Sequence, residues 1–137
     1  MVYIASPFFN EIEIKNIEKV ENILKKRGIK FFSPRQHEIR GDLDKNAKDI
    51  FELDRTMIDK SDVVIVLYYG IYSDSGTAWE CGYAYAKEKF VITVHLGEDA
   101  NIMMHKGSDT NITIDELEEF DFSFEKVEMK EYHGKML

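Results

Sequence analysis

Short apolar runs alternate with longer amphipathic stretches over most of this chain, and that alternation limits the possible folds more than any other feature. Four runs rich in β-branched or aromatic residues, at positions 2–5, 29–32, 63–68 and 90–95, predict strands that are buried on both faces. Strand and helix in alternation are typical of βαβ units. We therefore expect an α/β fold, with a doubly wound parallel sheet and helices on both of its faces.

Three stretches with helical periodicity separate these runs. Residues 10–27 place apolar side chains on one face and end at Gly28, a residue typical of helix C-termini. Residues 44–60 and 77–89 predict the second and third helices. Each connection between consecutive strands is thus long enough for the crossover that a parallel sheet requires.

The final third of the chain has a weaker pattern. It predicts a short helix at residues 115–120 and a charged last strand at residues 125–132. We find no internal repeat, low-complexity tract or linker with a shift in composition. The interpretation is a single domain over residues 1–137.

Charge and composition exclude several classes of function. The net charge is −8, from 26 acidic and 18 basic residues, so we expect no electrostatic binding to nucleic acid or to an anionic membrane. The apolar runs are too short to span a bilayer, and the start lacks the basic segment of a signal peptide, so a cytoplasmic location is expected. One cysteine, four scattered histidines and no glycine-rich loop after the first strand indicate no metal site and no nucleotide cofactor.

Ligands of doubly wound sheets bind outside the carboxyl ends of the strands. The loops at residues 6–10, 33–42, 70–76 and 96–101 are therefore the places to look for a site.

Asp54 is the first unusual residue near these loops. A helical wheel places it within the apolar side of the second predicted helix. That side is formed by Ala47, Ile50, Leu53, Met57 and Ile58. A buried carboxylate needs a partner, a raised pKa or a cavity, so Asp54 is either a functional acid or a structural ion pair, with Arg35 as a candidate partner.

Two further acids follow the most apolar strand. Asp74 lies on a glycine-flanked loop, and Glu80 falls near the start of the next helix. Together with Asp54 they fit catalysis at a glycosidic bond, in which one carboxylate attacks carbon and another protonates the leaving group. The alternative for Glu80 is a capping box with Thr77, a pattern that also occurs at Asn10-x-x-Glu13 and Thr113-x-x-Glu116.

Other candidates carry less information. Phe8 and Phe9 are suited to wall a flat aromatic ligand, although core packing explains at least one of them equally well. Tyr3, on the first strand, either donates a hydrogen bond to a carboxylate or is packed in the core. Cys81 is interpreted as a small buried hydrophobic residue rather than as a nucleophile.

Several segments resemble the nucleoside 2-deoxyribosyltransferases. The opening Tyr-Ile-Ala-Ser-Pro-Phe-Phe at residues 3–9 and Phe-Ser-Pro-Arg-Gln at residues 32–36 are similar to that family. The long and specific pattern Asp-x-Gly-Thr-x-Trp-Glu-x-Gly-Tyr-Ala begins at Asp74. Asn-Ile-Met at residues 101–103 and the ending near residues 120–134 resemble the family more loosely.

The resemblance implies a flavodoxin-like fold and exchange of the base on a 2'-deoxyribonucleoside, without a cofactor. By position, Glu80 would attack C1' and form a covalent deoxyribosyl ester, with retention of the β configuration. Asp74 would help to protonate the leaving base, Asp54 would be a second acid near the sugar, and Tyr3 would orient Glu80.

The resemblance also implies substrate-binding residues. These are Phe8, Phe9, Gln36, Gly76, Asn101 and Met103. Gln36 would contact the base edge, and Asn101 and Met103 would reach the sugar in the site of a neighbouring subunit. The implied partners are deoxynucleosides, free nucleobases and further copies of the chain, with hexamers suggested. The family's chain end can close the site with an aromatic residue, where this sequence has Leu137.

Two other functions remain open from the sequence. A deoxynucleoside 5'-monophosphate N-glycosidase would use the same nucleophile with water as acceptor, and it would need a phosphate site. A non-catalytic nucleotide-binding module would use the same crevice without forming a covalent bond.

Overall fold

The computed structural model describes residues 1–37, 40–125 and 127–137. Over these residues the chain forms seven strands: β1 (Val2–Ala5), β2 (Phe31–Phe32), β3 (Val63–Tyr68), β4 (Phe90–His95), β5 (Asp99–Ala100), β6 (Thr110–Ile112) and β7 (Lys135–Met136). Five of them form a sheet in the order β2-β1-β3-β4-β6, with every neighbouring pair parallel. The predicted α/β fold with a parallel sheet is confirmed. β5 and β7 pair with each other separately.

The helices connect these strands as crossovers. They are α1 (Glu11–Lys26), α2 (Leu43–Asp59), α3 (Ser75–Ala86), α4 (Ile102–Lys106) and α5 (Ile114–Glu118), with one 3-10 turn at Pro34–Gln36. Gly28 follows α1 with a φ of +67°, as expected for a glycine that ends a helix. The described part of the chain contains no helix of the length and apolar character needed to cross a membrane.

Alternate residues of the central strands build two separate cores. Val2 and Ile4 of β1 face the layer of α1 and α5, whereas Tyr3 and Ala5 face the layer of α2, α3 and α4. This alternation follows from the two-residue period of a strand. Tyr3 therefore lies on the face of the sheet that the helix bearing Glu80 covers.

Helix α2 extends beyond the sheet that it covers. Its 17 residues span about 25 Å, whereas the four residues of β1 span about 13 Å. Ile58, near the end of α2, is fully buried, whereas Phe51 and Leu53 are 47% and 37% exposed. Of the apolar side that the sequence indicates for α2, Ala47 and Leu53 are exposed, Ile50 and Met57 are half-buried and Ile58 is fully buried, so this side packs in the core only near its end.

The carboxyl-terminal third also differs from expectation. The predicted strand at residues 125–132 is wrong at the residues described there; residue 126 lies outside the described residues. The edge of the sheet is β6, and the amide of Asn111 donates a hydrogen bond to the carbonyl of Lys130 at 2.9 Å. The amide of Lys130 in turn donates to the hydroxyl of Thr110 at 3.0 Å. The amide of Lys130 thus binds the side chain of Thr110 instead of a backbone carbonyl of β6, so the segment around Lys130 does not pair with β6 as a regular strand.

Candidate active site

A cavity of about 690 Å³ opens beside the carboxyl ends of β1 and β3, the two strands between which the chain reverses its order in the sheet. Its walls come from the loop after β1, from Pro34, from the first half of α2 and from the first turns of α3. The lining residues are Ser6, Pro7, Phe8, Phe9, Pro34, Arg40, Leu43, Ala47, Ile50, Phe51, Asp54, Arg55, Asp74, Ser75, Gly76, Trp79 and Glu80. This is the position at which doubly wound sheets bind ligands.

The three acids singled out in the sequence all line this cavity. Asp54 projects from α2, Asp74 precedes α3, and Glu80 lies in the second turn of α3. Each of these side chains is half-buried, and one carboxylate oxygen of Asp54 and one of Glu80 are shielded from solvent. The acids therefore share a partly dry pocket, in which charges interact more strongly than in water.

The capping-box interpretation of Glu80 is wrong. Helix α3 begins at Ser75, two residues earlier than predicted, and its N-cap is Asp74. Oδ2 of Asp74 accepts hydrogen bonds from the amide and the hydroxyl of Thr77, at 2.8 and 2.9 Å. Because Thr77 is the third residue of the helix, Glu80 lies beyond the positions at which a side chain returns to the N-cap amide.

Gly76 supports the cap of α3 by leaving room for it. A Cβ atom at this position would lie 3.1 Å from Oδ2 of Asp74, closer than side chains normally approach. A larger residue would displace the Asp74 carboxylate within the cavity wall. The structure thus brings Gly76, Asp74 and Glu80 together in one stretch of the wall.

Tyr3 lies beneath the cavity rather than in its wall. The residue is fully buried on the α2 and α3 side of the sheet, and its ring stacks on Phe32 with centroids 5.8 Å apart. Its hydroxyl is buried as well. Tyr3 is therefore placed to act on residues of the site from below, not on a ligand directly.

Aromatic residues form a wall at the end of β1. Phe8 and Phe9 stack with centroids 6.0 Å apart, and the guanidinium of Arg40 lies over both rings, at 5.3 and 5.8 Å from their centroids. Phe9 remains 65% exposed, so the wall presents apolar surface to the cavity and to solvent. No sequence pattern indicated a role for Arg40, because it lies in a loop without regular spacing.

Gln36 points away from the cavity. Its side-chain amide donates to the carboxylate of Glu21, a residue of α1 that is only 2% exposed. The same carboxylate binds Arg35 at 2.7 and 3.0 Å, and Arg35 also lies 3.7 Å from Glu18. The ion pairs of Arg35 thus join the turn after β2 to α1, and the structural alternative that paired Arg35 with Asp54 is not the arrangement found.

Asn101 and Met103 lie at a second groove, of about 510 Å³, on the other side of α3. Asn101 is the N-cap of α4: its side chain accepts from the amide of Met103 at 2.9 Å, and its own amide donates to the hydroxyl of Tyr68 at 2.9 Å. Met103 is 78% exposed. Within one chain, neither residue lines the cavity that contains Glu80.

Cys81 is buried, as predicted, and burial raises the pKa of its thiol to about 11 because the thiolate is disfavoured away from water. Among the described residues, no group of three or more histidines, cysteines and acids is placed to hold a metal ion. Side-chain oxygens, aromatic rings and arginines are therefore the chemistry that these residues bring to the cavity.

Phe51, Arg55 and Trp79 were not predicted as site residues. All three line the cavity from α2 and α3. Trp79 contacts Phe51 edge to face, with centroids 5.3 Å apart, and Arg55 binds Glu52 and Asp59 at 2.8 and 3.0 Å. Phe51 and Arg55 are not among the residues that define the apolar side of α2, and Trp79 lies on α3.

An acid-lined, aromatic-walled cavity at the switch point of a doubly wound sheet defines the class: an α/β enzyme that acts on a small organic molecule. The model of the nucleoside 2-deoxyribosyltransferase family matches residues 2–120. The chain therefore belongs to the nucleoside 2-deoxyribosyltransferase family, whose substrates are nucleosides and nucleobases.

Solved structures agree with this assignment. The 2-deoxyribosyltransferase of the psychrotolerant bacterium Bacillus psychrosaccharolyticus is 30% identical over 96% of this chain and 98% of that chain, with a TM-score of 0.86. A 2-desoxiribosyltransferase from Leishmania mexicana is 27% identical over 80% of this chain and 72% of that chain, with a TM-score of 0.56. The Clostridium botulinum CMP N-glycosidase is 21% identical over 86% of this chain and 95% of that chain, with a TM-score of 0.63. This similarity shows a shared fold. A search of curated proteins found no significant match.

Proposed function

We propose that this enzyme transfers the 2-deoxyribosyl group from one nucleobase to another through a covalent ester on Glu80. The observation that carries the proposal is that the Glu80 side chain lies in the wall of a cavity of about 690 Å³ together with Asp54 and Asp74. Glu80 is not needed to cap its own helix, because Asp74 does so. A half-buried carboxylate without that structural duty is available as a nucleophile.

The reaction is a double displacement. A carboxylate oxygen of Glu80 attacks C1' of the deoxyribose, the C1'–N bond breaks, and the base leaves with the electron pair and takes a proton from Asp74. The nitrogen of an incoming base then attacks C1', the ester bond breaks, and the Glu80 carboxylate is regenerated while the proton of the incoming base returns to Asp74. Each step inverts C1', so the β configuration is retained.

The remaining acid and the tyrosine support this sequence. The 2-deoxy sugar lacks the electron-withdrawing hydroxyl that would destabilise a transition state with oxocarbenium character, so a nearby carboxylate such as Asp54 suffices to stabilise it. Tyr3, buried on the same side of the sheet, would orient Glu80. Exclusion of water from the partly buried pocket would protect the ester until a base arrives.

Substrate binding would use the aromatic wall and the glycine. Phe8 and Phe9 offer flat apolar surface to the cavity. Gly76 has no side chain, so a substrate can approach the backbone beside Asp74 closely. Gln36 would reach the base edge only after exchanging its hydrogen bond with Glu21. A substrate-binding role for Gln36 therefore requires a rearrangement of the turn after β2.

Asn101 and Met103 would complete the site of a second copy of the chain. They lie at an apolar groove lined also by Ile71 and Tyr85, which are 38% and 64% exposed. A homo-oligomer, with hexamers as the expected form, would cover this surface. Sedimentation analysis of the purified protein tests this part, and a monomer at micromolar concentration with full activity would contradict it.

The experiment that tests the transfer is a pair of measurements. Incubation with deoxyadenosine and cytosine, and separately with thymidine and adenine, should yield exchanged nucleosides by chromatography. Intact-mass analysis with a deoxynucleoside alone should detect a deoxyribosyl adduct that is absent from Glu80→Ala. No exchange with either pair would overturn the proposal, and exchange without an adduct would overturn the covalent mechanism.

A deoxynucleoside 5'-monophosphate N-glycosidase is the second candidate. The observation in its favour is that two guanidinium groups, those of Arg40 and Arg55, line the cavity and carry the charge that a phosphate requires. Release of free base from a deoxynucleotide without an acceptor base, faster than exchange between nucleosides, would favour this hydrolase.

A further inference from the structure

Trp79 presents an aromatic ring to the cavity immediately beside Glu80. The residue is 47% exposed, and its edge-to-face contact with Phe51, with centroids 5.3 Å apart, forms one corner of the cavity wall.

Tyr83 covers one face of the Trp79 ring, and nearly half of the tryptophan residue stays exposed. Tyr83, one turn later on α3, stacks on the indole with centroids 5.2 Å apart and planes 8° from parallel. Residues three and four positions apart are neighbours on a helix, so the neighbours of Trp79 toward the start of α3 are Gly76, which has no side chain, and the small residue Ser75. On that side, where Asp74 lies, the helix thus carries no large side chain next to the indole.

The stack is fixed from behind. The hydroxyl of Tyr83 donates to Asp59 at 2.7 Å, and Asp59 also binds Arg55 at 3.0 Å. The ammonium of Lys87 lies over the Tyr83 ring at 5.6 Å from its centroid. Because Tyr83 is held by its hydroxyl and its ring, the indole that rests on it has a defined orientation before any ligand enters.

We propose that the exposed part of the Trp79 indole stacks on the nucleobase and makes this residue a determinant of base specificity. The proposal rests on the proposed function, because C1' must reach Glu80 and the base is bonded to C1'. A planar heteroaromatic ring matches an exposed indole, whereas the sugar offers no π surface. A purine overlaps more of the indole than a pyrimidine does, so the contribution of Trp79 is larger for adenine than for cytosine.

Intrinsic fluorescence tests this directly, since Trp79 is the only tryptophan of the chain. Excitation at the red edge of the indole band during titration with adenine or cytosine should give saturable quenching. Titration with 2-deoxyribose should leave the emission unchanged. Binding of adenine that is measurable by calorimetry and leaves the emission unchanged would overturn the proposal.

Kinetics of two variants provide the second test. Trp79→Ala should raise KM for adenine on the order of 10- to 100-fold and KM for cytosine less, while Trp79→Phe recovers most of the loss. Tyr72→Ala, which removes an aromatic residue that is 99% exposed outside the cavity, is the matched control with unchanged KM. If the wild type exchanges bases and Trp79→Ala keeps the wild-type KM values, the role of Trp79 is wrong. If the wild type exchanges none, the proposed function fails, and the fluorescence titration still decides whether Trp79 stacks on a base.

Discussion

Oδ2 of Asp74 accepts hydrogen bonds from both the amide and the hydroxyl of Thr77, at 2.8 and 2.9 Å. The Asp74 side chain, which in its protonated form is the proposed proton donor to the leaving base, is thus also the N-cap of the helix that carries Glu80. One side chain joins the stability of α3 to the chemistry of the cavity, and substitutions can separate the two roles.

Asp74→Asn should keep the cap and lose the acid. Asparagine caps helices about as well as aspartate, so the free energy of unfolding should change by less than about 0.5 kcal/mol. The rate of exchange should fall on the order of a hundredfold or more, because the amide cannot donate an acidic proton. Asp74→Ala should in addition lose about 1 kcal/mol of stability. Urea denaturation and single-turnover exchange measure the two effects.

Thr113→Ala is the matched control for that pair. Thr113 caps α5 and accepts from the amide of Glu116 at 3.2 Å, outside the cavity. Its removal should lower stability by about 1 kcal/mol and leave exchange unchanged. Loss of activity in Thr113→Ala would mean that cap strength alone explains the Asp74 variants.

Glu80→Gln should abolish exchange without unfolding the protein. The amide is a poor nucleophile, so we expect a loss of at least about a thousandfold, measured by chromatography. The free energy of unfolding should stay within about 0.5 kcal/mol of the wild type, since Glu80 does not cap α3. A variant that loses stability but retains exchange would return Glu80 to a structural role.

Glu21→Ala should be among the most destabilising substitutions of a charged residue. Its carboxylate is 2% exposed and binds both Arg35 and Gln36, so its removal leaves a cation beside an apolar layer. We expect a loss of about 3 kcal/mol in urea denaturation. Glu18→Ala is the control, because Glu18 is half exposed and lies 3.7 Å from the same arginine, and it should cost less than about 1 kcal/mol. Equal losses in both variants would contradict the importance of burial.

Acidification should weaken the carboxyl-terminal part of the fold through His95. Burial lowers the pKa of this imidazole below its ordinary 6.5. The hydrogen bond with Asn111 acts in the opposite direction and raises the pKa, whereas the nearby His105 lowers it further by a smaller amount. The native state therefore holds His95 neutral at pH values at which the unfolded chain protonates it. This stabilisation is present above about pH 6.5 and is lost as the pH falls toward the native pKa.

Thermal unfolding between pH 7.5 and pH 5 measures that effect. His95→Gln should flatten the decline of stability on acidification, whereas the exposed His133→Gln should leave it as in the wild type. An unchanged slope in His95→Gln would assign the acid sensitivity to other groups.

Gly70→Ala should destabilise the fold more than Gly28→Ala. Both glycines have positive φ, +90° and +67°, which costs an alanine about 1 kcal/mol or more. A Cβ at Gly28 meets nothing within 4 Å, whereas one at Gly70 would lie 2.4 Å from Oδ1 of Asp99, the atom that accepts from the amide of Ile71. In urea denaturation, the difference between the two losses of unfolding free energy measures the clash with Asp99. Equal losses in the two variants would contradict the importance of that clash.

The sequence predicted the central sheet well, because buried parallel strands leave a clear signal. β1, β3 and β4 lie at the predicted positions; β1 and β3 are uninterrupted runs of apolar and tyrosine residues, and β4 contains only Thr93 and His95 as polar residues. β6 was missed because Thr110 and Asn111 are polar and form hydrogen bonds with the segment near Lys130 instead of packing as hydrophobic residues.

The acids of the site were predicted from the sequence, whereas several of the other residues that line the cavity were not. Asp54 comes from α2, whereas Asp74 and Glu80 come from the start of α3, and the fold places all three around one cavity. Trp79 belongs to the pattern that begins at Asp74, but no role was assigned to it, because a tryptophan on a helix is more often packed in the core. Arg40 reaches Phe8 and Phe9 across the cavity mouth, a contact between distant segments that no local pattern encodes.

The first half of α2, which extends beyond the sheet, forms an edge of the cavity whose side chains can vary. Leu43, Ala47 and Ile50 line the cavity, whereas Ile58 anchors the far end of the helix in the core. Residues along that edge can therefore change in size while the anchor keeps the scaffold intact. Directed evolution toward unnatural bases has its natural starting point there.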